Sequence, residues 1–229
     1  MAPEWVTASA ADVPAGDGWL GAAERRVLAG LHVEKRRADW RLGRWTAKRA
    51  VAARCAIAAE RLEILAAADG APQVWLDGAR LPLSLSLSHR AGRGLAVVAA
   101  DPAVVGCDLE LVEPRSGAFV REWLGDSERA LLASCDGLEH ARLANLLWAA
   151  KEAASKVRRE GLRLDVRRSR VDLDATTTAR AGGSLRGWQP LRVVWEEAEP
   201  TGGWWRQEPD WVMVIATAGE PAPEPPRAL

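Results

Sequence analysis

Two kinds of hydrophobic periodicity alternate along the chain. Apolar residues first recur with helical spacing. From Leu81 the apolar residues alternate with polar ones, as leucine with serine, and both patterns return later in the chain. Helices are predicted over 21–31, 34–60, 117–135 and 137–160. Strands are predicted over 81–88, 95–99, 104–112, 191–195 and 211–217. Turns are predicted at Asp69–Pro72, Asp77–Gly78, Asp101–Pro102, Pro200 and Gly202–Gly203.

The order of helices and strands predicts an α+β fold. The first three strands are expected to form a meander. Two similar α+β halves are expected to face each other as a pseudo-dimer within one chain, each with a small antiparallel sheet packed on helices. The expected domains are 1–102 and 103–218, followed by a tail over 219–229 that its four prolines predict to be disordered. No sequence repeat proves a duplication.

Composition and charge exclude several classes of protein. Lys+Arg and Asp+Glu both number 31, so the chain lacks the basic surplus of proteins that bind bulk nucleic acid. The three cysteines are scattered without a C-x-x-C motif, which argues against a disulfide framework or a zinc site. The first residues do not resemble a signal peptide, and no apolar run approaches a membrane span of roughly 20 residues. We therefore expect a cytoplasmic protein that binds no membrane.

The predicted third strand contains two acids. Because alternate strand residues share a face, Asp108 and Glu110 should point to one side, while Cys107 and Leu109 point to the core. Two carboxylates about 7 Å apart along a strand suit a hard cation such as magnesium. Gly106 removes a side chain beside them, so that a bulky ligand could approach. The alternative is the solvated face of a half-exposed strand.

The predicted helix over 137–160 has two stripes. Its apolar stripe consists of Leu143, Leu146, Leu147, Ala150 and Ala154. A second stripe contains Trp148, Glu152 and Lys156, each four residues apart, which places an acid one turn before a lysine and beside an aromatic ring. The alternative is an ordinary surface Glu–Lys pair.

The predicted strand from Leu81 ends in Ser88 and His89. Adjacent strand residues point to opposite faces, so these two are not a nucleophile–base pair, and no G-x-S-x-G elbow supports hydrolase chemistry. His89 is a candidate for contact with an anion. The alternative is a loop histidine that is bonded to the backbone.

The predicted helix over 34–60 begins with a basic segment. Arg37, Arg41 and Arg44 fall on one face, and Arg36 lies at its edge. Arginine guanidinium groups suit phosphates. A solvated basic face and a nucleic-acid-binding surface are the alternatives.

Taken together and in this order, these motifs resemble the 4′-phosphopantetheinyl transferase superfamily, in its larger pseudo-dimeric single-chain class, the surfactin-synthetase-activating type. The motifs of that family are S-x-S-H, G-x-D-x-E, F-F-x-x-x-E and W-x-x-K-E-x-x-x-K. They correspond to Ser86–His89, Gly106–Glu110, Trp123–Glu128 and Trp148–Lys156. The resemblance runs from about Lys35 to Asp165.

The resemblance implies an enzyme of the holo-[acyl-carrier-protein] synthase kind. Such an enzyme transfers the 4′-phosphopantetheine moiety of its substrate coenzyme A to a serine of an apo acyl or peptidyl carrier protein, with Mg²⁺ (Mn²⁺ is also possible), and releases adenosine 3′,5′-bisphosphate. The implied metal ligands are Asp108, Glu110 and Glu152. Glu152 would also act as or position the general base, and Lys156 would stabilise the phosphate and the leaving group. The implied coenzyme A contacts are Arg36, Arg44, Ser88, His89, Asp108, Lys151 and Lys156.

The sequence departs from the family pattern at three places. Ala71 stands where the family often has lysine, so one coenzyme A contact is expected to be missing or moved, with Arg90 as a candidate substitute. Trp123-Leu124 replaces the usual Phe-Phe, and Cys107 replaces an aliphatic residue that faces the core.

Several alternatives stay open at this point. A nucleic-acid-binding module built on the basic helix and a catalytically inactive module that docks carrier proteins are the two competing functions. Fatty-acid, polyketide and nonribosomal-peptide carriers are all possible partners. We expect a monomer, since one chain contains both halves.

Overall fold

A computed structural model of the chain describes residues 2–159, 165–173, 187–220 and 224–229. The chain divides into two compact units, Met1–Val105 with Arg227–Leu229, and Gly106–Pro226. In chain order the elements are β1 (Glu4–Ser9), α1 (Ala22–Ala29), α2 (Glu34–Cys55), β2 (Leu62–Ala66), β3 (Pro72–Leu76), β4 (Ala79–Arg80), β5 (Leu83–Arg90), β6 (Arg93–Ala100), β7 (Val105–Leu111), α3 (Gly117–Trp123), α4 (Asp126–Leu132), α5 (Gly137–Arg158), β8 (Ser169–Leu173), β9 (Gln189–Trp195), β10 (Thr201–Glu208), β11 (Trp211–Ala218) and β12 (Arg227–Ala228). Helices and small sheets are mixed, so the predicted α+β class is confirmed.

The first unit packs α2 against its strands. One sheet has the order β12-β1-β6-β5, and a second has the order β2-β3-β4. The buried cluster between them and the helix consists of Val6, Ala47, Ala50, Val51, Leu62, Ile64, Val74, Leu85, Ala96 and Val98. A side chain at Gly94 on β6 would collide with Thr46 on α2, so glycine is what allows the helix to lie this close to the sheet.

The second unit packs α5 against a five-stranded sheet of order β7-β11-β10-β9-β8. The apolar stripe predicted for this helix is buried as expected, and so are Met213 and Ile215 of β11. The alanines in that stripe have short side chains, so the helix can pack closely on the sheet. Within the described ranges, neither α2 nor α5 nor any other helix is long and apolar enough to cross a membrane.

Helix ends differ from the predicted ones where the backbone leaves the helical region. The helix predicted to run to residue 60 ends earlier, because Ala56 adopts a left-handed conformation with φ of 53°. The segment predicted as one helix over 117–135 forms two helices. Leu124 and Gly125 between them have extended backbone, and α4 begins directly after Gly125. Arg159, directly after α5, adopts the same left-handed backbone conformation as Ala56 and ends the helix. Residue 160, the last of the predicted helix, lies outside the described residues.

The predicted meander is wrong at its third strand. The hairpin of β5 and β6 forms as expected, with Leu87 opposite Ala96. The other edge of β6 is occupied by β1, which pairs antiparallel with it from Glu4 to Ser9. Since a strand has only two edges, β7 cannot pair with β6, and it pairs instead with β11 in the second unit.

Two predicted irregular segments contain strands. Gly202 and Gly203, predicted as a turn, lie within β10, where a Cβ at Gly203 would lie 2.8 Å from the backbone oxygen of Ile215. The tail predicted to be disordered contains β12, which pairs in parallel with β1. The backbone N–H of Arg227 donates to Pro3 at 3.0 Å, a long-range contact that composition does not reveal. Residues 221–223 of that tail lie outside the described residues.

Candidate active site

Gly106 lies where α5 approaches β7 most closely. A Cβ atom at this position would overlap the backbone oxygen of Ala153 and would lie 3.0 Å from Cγ2 of Val157. The expectation that a ligand approaches the strand here is therefore wrong, because the helix itself takes the space. This close approach places the strand residues after Gly106 next to the last turns of α5.

Asp108 and Lys156 form the centre of the site. Nζ of Lys156 donates to Oδ1 of Asp108 at 2.8 Å and to the backbone oxygen of Cys107 at 2.8 Å. The Lys156 side chain is 31% exposed, whereas Asp108 is buried. An ammonium group has three protons. These two contacts use two of them, which leaves Lys156 able to donate to an incoming anion.

Glu152 lies one helical turn before Lys156 and close to Asp108. Burial, and next the charge of Asp108, raise the pKa of the Glu152 carboxyl group above its ordinary value of 4.5, while Lys156 lowers it by less. Burial lowers the pKa of Lys156, but Asp108, Cys107 and Glu152 raise it, and the net shift is upward. The site thus combines a protonated ammonium group, a buried carboxylate and a second carboxylate with increased proton affinity.

Glu110 lies two residues beyond Asp108 on β7. Cys107 and Leu109 are buried, as the predicted alternation requires. The Glu110 carboxylate has an arginine partner, with Nη2 of Arg115 at 2.8 Å from its Oε2. Sequence reasoning did not identify Arg115, which follows the strand in a proline-containing loop and belongs to none of the recognised motifs.

The predicted magnesium ligands do not form a ready-made cluster. Over the residues that the structure describes, no group of three or more His, Cys, Asp and Glu side chains is arranged to hold a metal ion. The chemistry of Asp108 and Glu152 nevertheless fits a divalent cation. Carboxylate oxygens are the ligands that magnesium prefers. A cation shared by the two would relieve the repulsion that contributes to the raised pKa of Glu152.

Lys151 is not placed to contact a phosphate, contrary to the expectation. Its side chain is fully buried, and Nζ lies 2.8 Å from Oε2 of Glu128. The same ammonium group donates to the backbone oxygens of Trp123 at 3.1 Å and Ser169 at 2.9 Å. These three partners match the three protons of the ammonium group. Lys151 therefore joins α5 to the segment around α4 and to the start of β8.

Glu128 completes this buried ion pair from the other side. Its carboxylate accepts from the backbone N–H of Gly125 at 2.8 Å and from that of Val171 at 3.0 Å. A buried charge pair stabilises a fold only when its remaining hydrogen-bonding positions are also satisfied. Here the backbone satisfies them, so the pair fixes α4 and β8 against α5.

The first unit contains a buried ion pair with the same kind of partners. Nζ of Lys48 lies 2.6 Å from Oε2 of Glu24 and donates to the backbone oxygen of Trp19 at 2.7 Å. Glu24 accepts from the backbone N–H groups of Gly21 and Ile64, both at 2.9 Å. Both charged side chains are fully buried.

A sequence signal for these two pairs exists. Residues 19–25 read W-L-G-A-A-E-R, and residues 123–129 read W-L-G-D-S-E-R. Each long helix then contributes W-x-A-K, at 45–48 and 148–151. The tryptophans of the two motifs are also in contact within each unit, with ring centroids 5.2 Å apart for Trp19 and Trp45 and 5.3 Å apart for Trp123 and Trp148.

The basic residues of α2 have two different surroundings. Arg37 donates to the backbone oxygens of Leu28 and Leu31, and Arg41 pairs with Asp17 and donates to nearby backbone oxygens. These two arginines hold the segment before the helix in place. The structure therefore separates them from the other two basic candidates, Arg36 and Arg44.

Arg36 is exposed, and Arg44 is half-buried with its guanidinium group 4.9 Å from the ring centroid of Trp40. The Nε–H of Arg44 is buried and donates to no acceptor among the described residues. Burial lowers the pKa of Arg44, partly offset by Glu24. A buried, incompletely bonded cation of this kind would be stabilised by an anionic ligand.

His89 lies against α2 at Gly43. The exposed end of β5 contains His89 and Arg90, while Ser88 beside them is half-buried. A Cβ at Gly43 would be 3.6 Å from Cδ2 of His89, so the absence of a side chain there leaves room for the imidazole next to Arg44. Ser88 and His89 therefore lie at the end of β5 that packs near Gly43 of α2.

Fold and site together give an α+β protein in which a partly exposed lysine lies with a buried and a half-buried acid. Residues 104–207 match the family model described as 4′-phosphopantetheinyl transferase superfamily (ACPS). This match runs from the start of β7 into β10 and includes Asp108, Glu110, Glu152 and Lys156. It supports a transferase of this kind, from a superfamily whose members use coenzyme A and act on carrier proteins. No curated protein matches the chain.

Proposed function

We propose that this protein transfers the 4′-phosphopantetheine moiety of coenzyme A to a serine of an apo acyl or peptidyl carrier protein in a magnesium-dependent reaction. The observation that carries the proposal is the cluster of Asp108, Glu152 and Lys156 within the segment that matches the superfamily. Here a lysine lies close to one acid on a strand and another on a helix. This arrangement suits a reaction on a diphosphate, because such a reaction depends on charge neutralisation and positioning.

Asp108, Glu110 and Glu152 would hold Mg²⁺, or Mn²⁺ in its place. The cation would supply Lewis acidity and would orient the diphosphate. Asp108 is buried and fixed by Lys156, so it provides a carboxylate of constant position. Glu152 is less buried than Asp108, and burial and the charge of Asp108 raise the pKa of its carboxyl group.

Glu152 would accept the proton of the carrier serine as its hydroxyl oxygen forms a bond to the phosphorus that carries pantetheine. The bond from this phosphorus to the bridging oxygen breaks, and adenosine 3′,5′-bisphosphate leaves with the electron pair. The Lys156 ammonium group, with a proton beyond those given to Asp108 and Cys107, would neutralise the leaving phosphate.

Residues of the first unit would bind the nucleotide phosphates. Arg36 is exposed, Arg44 has an unsatisfied donor, and His89 and Ser88 lie at the end of β5. Arg37 donates to a backbone oxygen, and Arg41 pairs with Asp17. Fewer basic groups of α2 are therefore available for the surface that a nucleic-acid-binding module would need. This observation favours coenzyme A over nucleic acid as the anionic ligand.

The pseudo-dimeric class is also part of the proposal. Each unit has a buried Lys–Glu pair that bonds to the backbone of the Trp and the Gly of its W-L-G-x-x-E-R motif. These pairs, together with the matching W-x-A-K motifs, support two halves that arose by duplication. In that correspondence Arg49 takes the place of Glu152, so the acid would be present in one half only. We further propose a monomer, because a single chain supplies both halves.

The direct test is intact-mass analysis of an apo carrier protein after incubation with this protein, coenzyme A and MgCl₂. The carrier should gain one phosphopantetheine, and EDTA should prevent the gain. Asp108→Asn and Glu152→Gln should lose most of the transfer activity, whereas Asp172→Asn, which alters an exposed ion pair with Arg170, should keep it. An unmodified carrier with the wild-type protein, tested with carriers of all three pathway types, would overturn the proposal.

A further inference from the structure

Arg115 lies between β7 and α3 and contacts two acceptor groups in the second unit. Its Nη2 donates to Oε2 of Glu110 at 2.8 Å, and its Nε donates to Oδ1 of Asn145 at 2.7 Å. Both members of the ion pair are largely buried, with Arg115 15% and Glu110 13% exposed. Breaking a pair this far from solvent is much more costly than breaking a surface pair.

Arg115 is itself held in a single orientation. Asn145 on α5 is fully buried, and its amide nitrogen donates to the backbone oxygens of Glu113 and Ala141, both at 2.7 Å. These bonds decide which way the amide points and leave its oxygen for Arg115. The guanidinium group also lies 4.8 Å from the ring centroid of Phe119, a cation–π distance.

Building on the proposed function, we propose that Arg115 is a positioning residue for the divalent cation, because it holds the carboxylate of Glu110 through Oε2. Hydrogen-bond partners behind a metal-ligating carboxylate orient it, and losing such a partner typically costs about 10- to 100-fold in metal affinity. A carboxylate has about four acceptor positions. The hydrogen bond from Arg115 occupies one of these positions, so it does not by itself prevent Glu110 from binding a cation.

The role requires arginine in particular. One planar guanidinium group serves Glu110 and Asn145 at the same time through two differently directed N–H groups. A lysine ammonium group is a compact charge without this fixed geometry. Lysine at position 115 would keep the positive charge and would lose the orientation of Glu110.

The competing interpretation is that Arg115 only anchors the loop after β7 to α5. In that case its substitution lowers stability, and any effect on metal binding is independent of Glu110. A double-mutant cycle separates the two interpretations, because a residue that acts through Glu110 has no further effect once Glu110 is changed.

The experiment measures Mn²⁺ binding to the full chain, from the electron paramagnetic resonance signal of free Mn²⁺. The variants are Arg115→Lys, Glu110→Gln and their combination, with Arg170→Lys as the matched control in an exposed ion pair of the same unit. We expect R115K to weaken Mn²⁺ binding about 10-fold or more. R170K should leave binding unchanged, and adding R115K to E110Q should change it less than about 2-fold.

Phe119→Leu removes the ring beside the guanidinium group without removing Arg115, and it should weaken Mn²⁺ binding by a smaller factor than R115K. Folding of each variant is checked by circular dichroism. If R115K does not fold, Arg115→Gln takes its place in the cycle, and a wild-type Mn²⁺ affinity in the folded R115Q protein overturns the inference.

A folded R115K protein with wild-type Mn²⁺ affinity overturns the inference, and so does an equal R115K effect with and without E110Q. Carrier modification by the wild-type protein is measured in parallel. If the wild type modifies the carrier while R115K binds Mn²⁺ normally, only the role of Arg115 is wrong. If the wild type neither binds Mn²⁺ nor modifies a carrier, the proposed function is wrong as well.

Discussion

Lys151 and Glu128 form an ion pair at 2.8 Å in the interior of the second unit, and no proton of the ammonium group remains for a ligand. Lys151 directly precedes Glu152, so two neighbouring residues of one helix serve different purposes. The lysine fixes the helix in the fold, and the acid faces Asp108. The position of the site therefore depends on a residue that does not take part in it.

Glu128→Gln should lower the free energy of unfolding by about 3–5 kcal/mol, because it leaves the ammonium group of Lys151 buried without its counter-charge. Glu24→Gln should have a similar effect through Lys48 in the first unit. Urea unfolding monitored by tryptophan fluorescence measures both. Asp172→Asn, in an exposed pair, should cost less than about 1 kcal/mol. A loss of that small size in E128Q would show that the buried pair contributes little.

Glu152→Gln should raise stability at neutral pH while it removes transfer activity. The pKa of Glu152 is raised in the folded protein, by burial first and by Asp108 second. Between its ordinary value of 4.5 and the raised pKa, the folded protein binds more protons than the unfolded chain, so stability falls as the pH rises. Above the raised pKa the full cost is present, and glutamine avoids it.

Thermal unfolding followed by circular dichroism, from about pH 4 to pH 8, checks this pH dependence. The melting temperature of E152Q should exceed that of the wild type by a few degrees at neutral pH, and the two should converge in acid. Glu122→Gln, at an exposed position of α3, should show no such difference. A lower melting temperature in E152Q at neutral pH would contradict the prediction.

Gly106→Ala should destabilise the second unit and weaken the contact between Asp108 and Lys156. The added Cβ would overlap Ala153 and press on Val157, and overpacking of this kind typically costs about 1–3 kcal/mol. Chemical unfolding measures the loss. Gly16→Ala is the matched control, since nothing lies within 4 Å of a Cβ there. Equal stability of the two variants would show that α5 can move away from β7.

Arg44→Ala and Arg41→Ala should differ in kind, although both remove a guanidinium group from α2. R44A should raise the KM for coenzyme A about 10-fold with little change in kcat, because its charged donor would contact the phosphates. R41A should lower the melting temperature, because Arg41 holds Asp17 and the preceding loop. Steady-state kinetics and thermal unfolding of each variant check the contrast. The reverse pattern would place Arg41 at the ligand.

Residues whose position depends on local periodicity could be predicted. The alternation along β7 identified Asp108 opposite the buried Cys107 and Leu109, and helical spacing placed Glu152 one turn before Lys156. Strands β1, β2, β3, β4, β8, β10 and β12 were not predicted, since their hydrophobic patterns do not stand out locally, and the partners of β1 and β12 lie far away in sequence. The same limit explains the wrong partner assigned to β7.

The sequence by itself determined the alternation of helices and strands, the α+β class and the spacing of the acids, because these depend on residues a few positions apart. Only the tertiary structure decided that Lys151 is buried against Glu128, that α5 fills the space beside Gly106, and that Glu110 faces Arg115. Such facts depend on how distant segments pack. Burial and long-range charge pairing are properties of the packed chain, and no local pattern encodes them.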